Sequence, residues 1–531
     1  MISKLLRMRS EISSIYSDRA RRCGVLLLAL NLTACINGPA VDLAPAYKPA
    51  KFIVPDSWHG ASPFVEAKPS DGEVRQDWWK QYNDPVLNKL EEQGMAANPD
   101  LQAAAERFVQ ARDMMMKARS RLLPQAALGF DASNNKQSAD SLFHAPGSSI
   151  YDTSISTGGI ASWEPDFWSA LRNATRVEIY RAEQSAAEYG LARLSLQAEI
   201  ATDYFTLRGY DAQYAIYKQS IDYYKKSLSI VNDQFIGKIG SGLDVARAEY
   251  LLSSTEAKQL DILSNRQVTE HALAILVNMA PASFTIEPVD ELRMANFTMP
   301  RKIPSTLLER RPDIAQMERR MAQANREIGI ARAAFYPNVV FRVDGGYEDH
   351  GLNLVKLAAS FWSYGSSISL PLFEGGYRRA QLQQSWSAYR ETEDRYRSTV
   401  LNAFREVENG LSQTTLMTAE AERQDAAVQA ALKTQNMSMD LYLGGLNSSL
   451  ELIYAQVNTL TARIDAVQIK NGLQKASVAL IRALGGGWSN KQLPPDEQIQ
   501  PMGVFQYTNL DKPEPAGGID VNAGNNGVNN D

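Results

Sequence analysis

The chain has 531 residues, 44% of them hydrophobic and 22% charged, enough for two to four ordinary domains with packed cores. A net charge of -5 excludes the strongly basic surface of a typical nucleic-acid-binding protein. The charge is uneven: residues 1–34 carry a balance of +4, so the remainder carries -9.

The basic start runs straight into GVLLLALNLTAC, an apolar run too short to span a bilayer as a mature helix. A basic region, a short apolar core and small residues predict a secretory signal over 1–34, long enough to admit a start at Met8. Leu32-Thr33-Ala34-Cys35 resembles a bacterial lipobox, which implies that Cys35 becomes an acylated first residue held in outer-membrane lipid. The only cysteines are Cys23 and Cys35, so the body after the leader has no thiol pair for a disulfide. No later apolar run reaches 18 residues, so no transmembrane helix is predicted, and a membrane role would rest on the lipid or on β-strands.

Residues 35–95 read as a lipidated N-terminus leading into an irregular, Pro-containing segment. A helix follows over 98–122, NPDLQAAAERFVQARDMMMKARSRL, closed by Pro124. Its echo is RPDIAQMERRMAQANREIGIARAAFYP, Arg311 to Pro337, which aligns with Asn98 to Pro124 without a gap. The echo opens a tandem duplication of about two hundred residues. WEPDFWSALRNA (163–174) answers SLPLFEGGYRRA (369–380), and Gly237 and Leu243 face Gly444 and Leu450. The first repeat spans 96–280, a linker 281–310, the second repeat 311–485, and a C-terminal segment 486–507. The Gly/Asn-rich tail 508–531 reads as disordered.

After each closing proline the pattern changes to period two. Leu128 and Phe130 alternate with Gly129 and Asp131, and Tyr151, Thr153, Ile155 and Thr157 with Asp152, Ser154 and Ser156. Val339, Phe341 and Val343 alternate with Arg342 and Asp344, and Trp362, Tyr364, Ser366 and Ile368 with Ser363, Gly365 and Ser367. Such alternation suits a membrane barrel strand, or a half-buried strand of a soluble sheet; its attachment to rods without another apolar partner points to the barrel. Four strands close no barrel alone, and an open edge in lipid leaves backbone groups unpaired, so the barrel must be shared by two chains or three.

Each half then carries one very long helix. Residues 170–235 contain no proline, and Leu191, Leu194, Ala198, Ala201 and Phe205 recur at three- and four-residue spacing. In the second half Leu382, Trp386, Tyr389, Glu393, Tyr396, Val400, Ala403 and Val407 hold the same seam. Sustained 3,4 spacing is a coiled-coil signal. A shorter helix over 243–280 follows the first, so the two short helices stacked end to end match the long one of their half.

With these elements in place, QDWWKQYNDPVLNKL, ANPDLQAA, LLERRPDIAQMERR, FYPNV, LPLFEGG and ALGGGW, taken in order, resemble the TolC/OprM-type outer-membrane efflux channels, in the lipoprotein branch serving tripartite pumps. The resemblance covers nearly all of the chain after the leader. It implies an α+β membrane protein: a homotrimer with a shared twelve-stranded barrel, a long α-helical coiled-coil tunnel and a mixed equatorial belt. The implied partners are a periplasmic adaptor and an inner-membrane transporter of the RND type, with no cofactor and no nucleic acid.

The resemblance also places the functional residues at the turns between long and short helix, FIGKIGSGLDV and YLGGLNSSLEL, whose glycines are expected to make the reversal. In the second turn Tyr442, Leu450 and Glu451 match the family's pore-gating positions. Tyr454 stands where an acid is common and Asn447 where some members carry Arg, which puts a salt-bridge latch in doubt. The expectation is a gate closed by Tyr442, Leu450 and Tyr454, with Glu451 supplying negative potential. Gly237, Lys238, Gly240, Asp244, Gly444 and Gly445 are the candidate adaptor-docking residues. The blander alternatives are a helix-start role for Glu451 and plain solvation for Lys238. His59, His144, His271 and His350 lie far apart without ligand spacing, and no phosphate loop, nucleophile elbow or dinucleotide fingerprint occurs. The chain therefore reads as a passive exit duct and not an enzyme; the competing expectation is a lipid-anchored periplasmic scaffold or adaptor without a pore.

Overall fold

In the computed structural model the described residues are 40–47, 77–136, 138, 149–294, 310–350 and 356–489. Cys35, the leader 1–34 and the tail 508–531 lie outside them, as do parts of 35–95, 281–310 and 486–507. The first half holds α1 (Pro85–Ala97), α2 (Pro99–Ser120), β1 (Gln125–Lys136), β2 (Tyr151–Trp163), α3 (Ala170–Ile236) and α4 (Gly242–Leu276). The second holds α5 (Pro312–Ala333), β3 (Asn338–Asp349), β4 (Ser360–Ser369), α6 (Tyr377–Leu443) and α7 (Ser449–Ala483). Both halves use helices of 22, 67 and 35 residues in that order. At ~1.5 Å per residue each long helix is about 100 Å long.

Two features differ from the sequence-based picture. α2 and α5 end at Ser120 and Ala333, before the closing prolines, and one tight turn separates each end from its strand. Pro124 and Pro337 thus open the strands rather than stop the helices directly. The segment expected to be irregular before residue 95 contains α1. Asp84 caps it by accepting from Val86 N and Leu87 N at 2.9 and 3.2 Å, and Pro85 sits where a missing N–H costs nothing.

The chain divides into two compact units. One comprises Met1–Pro49, Gln110–Ala182 and Arg319–Asp394, and it contains a four-stranded antiparallel sheet in the order β1-β2-β3-β4. The register decides which side chains share a face. Phe130 lies opposite Thr157, and Thr157 opposite Tyr347; Trp163 pairs with Phe341, and Val343 with Tyr364. Leu128, Phe130, Ile155, Trp163, Val339, Phe341, Val343, Trp362, Tyr364 and Ile368 therefore all fall on one face. Leu128, Trp362, Tyr364 and Ile368 are 92%, 74%, 75% and 71% exposed, so that face has no cover among the described residues. The opposite face carries Asp131, Asp152, Asp344, Glu348, Arg342 and a run of serines and glycines.

The other unit comprises Ala50–Val109, Glu183–Glu318 and Arg395–Asp531. Its core takes in Leu194, Ala198, Ala201 and Phe205 from α3 and Tyr396, Val400, Ala403 and Val407 from α6, the seam positions of the two long helices. Glu393, though on the same spacing, is exposed, as its charge requires.

Two junctions in this unit join the short helices end to end. Asn98 caps α2 by accepting from Leu101 N (3.0 Å), and its side-chain amide donates to Leu276 O, at the end of α4 (3.0 Å). At the equivalent place in the second half Arg311 donates to Ala483 O, at the end of α7 (2.9 Å), while pairing with Asp313 and Glu406. Each side chain satisfies groups that an interrupted helix leaves without intrahelical partners.

A buried polar chain fastens the start of the linker. The Asp84 carboxylate accepts from Tyr204 Oη (2.6 Å), whose oxygen in turn accepts from Arg208 Nε (3.0 Å). Asp211, with its side chain fully buried, takes Arg208 at 2.9 Å and Arg266 at 2.6 Å. Arg208 and Arg266 donate onward to Glu287 O and Ile286 O (both 2.6 Å), and Glu270 accepts from Ile286 N (2.7 Å). Removing Asp211 takes from Arg208 its carboxylate partner and leaves Arg266 with Glu270 alone, so Asp211→Ala should cost about 3 kcal/mol in urea unfolding followed by tryptophan fluorescence. A loss within experimental error would show that the network is not needed to hold the linker.

A groove of about 650 Å³ lined by Glu199, Asp203, Gly472 and Lys475 holds a perturbed carboxyl group. Burial, reinforced by Glu199 and opposed by Lys475, pushes the Asp203 carboxyl up to about 6. The folded state then holds this proton more tightly than the unfolded state, so its contribution favours folding at acid pH and is lost as pH rises from about 4 to about 6. Melting temperatures at pH 5 and pH 7 should differ by less in Asp203→Asn than in the wild type.

Candidate functional site

The turns after α3 and α6 are built alike. In the second, Gly445 N donates to Tyr442 O (3.0 Å) and Leu446 N reaches back to Leu441 O (2.9 Å). In the first, Lys238 N donates to Phe235 O and Ile239 N to Gln234 O, both at 3.0 Å. These are paired Schellman motifs, which close a helix through one residue in the left-handed region. Gly445 supplies that residue in the second turn with φ +73°. In the first it is Lys238, with φ +62°. The expectation that glycines make both reversals therefore holds for Gly445 alone among Gly237, Gly240, Gly444 and Gly445, because only it has positive φ. Ser241 and Ser448 then cap α4 and α7.

Cross-links between the turns fix the tip. Tyr442 Oη donates to Gln234 Oε1 at 2.6 Å, and Ser449 Oγ hydrogen-bonds to Asp244 Oδ1. Val231, Tyr442 and Leu452 form a small buried cluster, flanked by Ile230, Val245 and Met439. Burial first, and the Asp244 charge second, raises the Tyr442 phenol above its ordinary range, so it stays a neutral donor. Deeper along the same helices Tyr224 Oη donates to Gln456 O (3.1 Å) and Gln456 Nε2 to Ser227 Oγ (3.1 Å).

The candidate gate residues thus separate into two groups. Tyr442 is turned into the chain's own tip packing. Leu450 and Tyr454 stand 39% and 61% exposed, with Val457 continuing the same stripe at i, i+4, i+7 and Glu451 exposed beside them. Among the docking candidates Lys238 is exposed, whereas Asp244 is engaged by Ser449 and lies 3.7 Å from Arg247. Heptad spacing from Leu450 could have found Val457. Gln234, the partner of Tyr442, and Ser449, the partner of Asp244, each lie more than 200 residues from the group they bind and carry no local signal.

The fold and this double-turn tip define a channel of the efflux class. The outer membrane efflux protein family model matches residues 92–278 and 303–486, and the chain belongs to that family. Among relatives, the pyoverdine export outer membrane protein OpmQ of Pseudomonas aeruginosa is 27% identical over 472 residues, covering 86% of this chain and 96% of the relative. The toluene efflux pump outer membrane protein TtgF of Pseudomonas putida is 27% identical over 482 residues, covering 87% and 97%. Among solved structures the outer-membrane channel OprN superposes with a TM-score of 0.77 at 26% identity, covering 84% of this chain and 99% of that one. The protein is an outer-membrane channel component of an efflux pump and not an enzyme; nothing in these likenesses favours a pore-free scaffold.

Holding a non-glycine residue at positive φ costs about 1 kcal/mol or more. Lys238→Gly should therefore raise stability by about that amount and Gly445→Ala lower it similarly, as read from denaturant midpoints. Equal effects of the same sign would contradict the turn geometry.

Proposed function

We propose that three copies of this chain form a passive duct through the outer membrane, gated at the second turn of each copy. The observation carrying this reading is the four-stranded sheet: among the described residues one face is apolar and uncovered, and the outer edges of β1 and β4 are unpaired. In lipid such edges must be paired, and pairing β4 of one copy with β1 of the next satisfies them. Three copies give a closed barrel of twelve strands, within the range of known membrane barrels. Away from the buried seam of α6, its apolar residues Leu401, Leu416 and Met437 are exposed, which suits contacts with neighbouring copies in a coiled-coil tunnel.

At the tip, Leu450, Tyr454 and Val457 would meet their counterparts around the axis, with Glu451 adding negative potential. Tyr442 would hold the second turn against the first through Gln234. Lys238 and the glycine turns, with Gly237, Gly240, Gly444 and Gly445 in reach and Asp244 behind, would meet a periplasmic adaptor linked to an inner-membrane transporter of the RND type. In this reading 96–280 and 311–485 are the two repeats, and 35–95, 281–310 and 486–507 build the equatorial belt. Residues 1–34 are the removed leader, and Cys35 carries the lipid. The relatives are named for different cargoes, pyoverdine and toluene, which fits a duct that accepts what its pump delivers.

Single-channel conductance in a planar bilayer tests the pore and its gate together. Wild type should show small, rare openings, and Leu450→Ala/Glu451→Ala large, steady ones. Silence from both, with insertion verified, would refute the duct.

A further inference from the structure

The groove beside Asp203 holds four charged side chains, two of each sign, and pairs none of them. Glu199 and Asp203 stand on α3, Lys475 and Arg482 on α7. Among the described residues none of the four forms a salt bridge or a side-chain hydrogen bond. Lys475 comes near enough to oppose the rise of the Asp203 carboxyl without bonding to it. A half-buried carboxylate in this position has given up water and gained no partner. Elsewhere on the same helix buried charges are matched, as Arg208 and Asp211 are.

Helix packing sets the spacing of these charges. Asn471 Nδ2 donates to Phe205 O at 3.0 Å and Gln456 Nε2 to Ser227 Oγ at 3.1 Å, so α3 and α7 run antiparallel. Counted from the Asn471–Phe205 contact, Lys475 lies level with the turn that carries Asp203. Arg482 lies further along, roughly 8 Å from the level of Glu199 and roughly 13 Å from that of Asp203, at ~1.5 Å per residue. One end of the groove is therefore net acidic and the other basic. The floor between them is apolar, made by Ala476 and Ala479 of α7 and Met417 of α6. A Cβ at Gly472 would lie 2.5 Å from Met417 Cε, so this glycine lets Met417 rest against α7. A volume of about 650 Å³ is in the range that holds small molecules.

We propose that this groove is a binding site for a zwitterionic small molecule with an apolar body. The ammonium group sits between Glu199 and Asp203, the anionic group at Arg482, and the apolar chain along Ala476, Ala479 and Met417. A molecule with a single charge satisfies one end only. The site stands on the groove itself; that its occupant is cargo rests on the duct reading. The other side of α7 is covered, with Gln474 Nε2 donating to Arg293 O (2.7 Å) and Tyr82 Oη bonded to Ser477 Oγ (2.6 Å). With the linker outside the tunnel wall, the groove faces the passage.

Ligand-observed NMR on the full-length oligomer in detergent tests the site at pH 7, where the Asp203 carboxyl is largely ionised. The probe is 6-aminohexanoate, with hexanoate and hexylamine as single-charge controls. It should bind about tenfold more tightly than either control, the factor that one charge-assisted contact supplies. Asp203→Asn should lower it towards hexanoate, and Arg482→Gln towards hexylamine. Hexanoate should bind Asp203→Asn as it binds wild type, which a misfolded groove would not allow. Equal affinity for the three probes overturns the proposal, as does a preference that survives in both variants. So does a wild type that does not bind 6-aminohexanoate. Conductance separates the site from the route. In the Leu450→Ala/Glu451→Ala channel, Ala479→Cys reacted with a bulky maleimide should cut the current, and the same reagent without Ala479→Cys should not. An undiminished current with labelling verified overturns the cargo role. A channel that never conducts refutes the duct instead and leaves the NMR result standing.

Discussion

A rod that is interrupted midway must rejoin, because each cut end exposes backbone groups that no turn of helix satisfies. In this chain Asn98 and Arg311 occupy equivalent places in the duplication, and each donates to the last turn of the short helix that completes its rod. The two repeats solve the same problem with different chemistry. Asn98 uses a neutral amide that also caps α2, whereas Arg311 uses a buried guanidinium that needs Asp313 and Glu406 as counter-charges. Hydrogen bonds to charged groups contribute about 1.5–3 kcal/mol against about 1 for neutral ones, so the second junction also carries the heavier desolvation cost. With these joints in place the short helices, 22 and 35 residues, can pack along a helix of 67 as a single element.

The same economy of repetition breaks down where the repeats must do different things. Both long helices end in the same hydrogen-bonded turn, yet Lys238 occupies the left-handed position in one and Gly445 in the other. Tyr442 and Gln234 bind the turns together, although the residue equivalent to Tyr442 in the first half is Phe235, which has no hydroxyl. Divergence of this kind turns a structural repeat into a tip with two distinguishable halves. The α6 seam is buried over part of its length and the α3 seam over much more of it, so the second half retains the larger uncovered surface.

Much of this was legible in the chain itself. The 27-residue echo, the proline-free runs and the period-two stretches placed the helices and strands to within a few residues, since hydrophobic period is a local property. The seam residues Tyr396, Val400, Ala403 and Val407 were readable for the same reason. α1 carries a weaker local signal because it is short and lies in a Pro-containing segment, although Asp84-Pro85 is a helix start. The glycine turns are visible in the sequence, but which residue takes positive φ is not, since Lys238 has no sequence preference for that region.

The sequence by itself determined the duplication, the element types, the alternating character of each strand and the family to which the chain is similar, because all of these are written in local spacing and order. Only the tertiary structure decided that the four alternating strands align their apolar residues on one common face, since register depends on pairing between segments up to 200 residues apart. It alone brought Tyr442 to Gln234, Asp211 to two arginines, and Asp42 to Asn173, Arg176 and Arg326. Except for the Arg208–Asp211 pair, which lies within one helix, these polar groups find partners from distant parts of the chain, and around Asp211 burial removes the water that would otherwise compete.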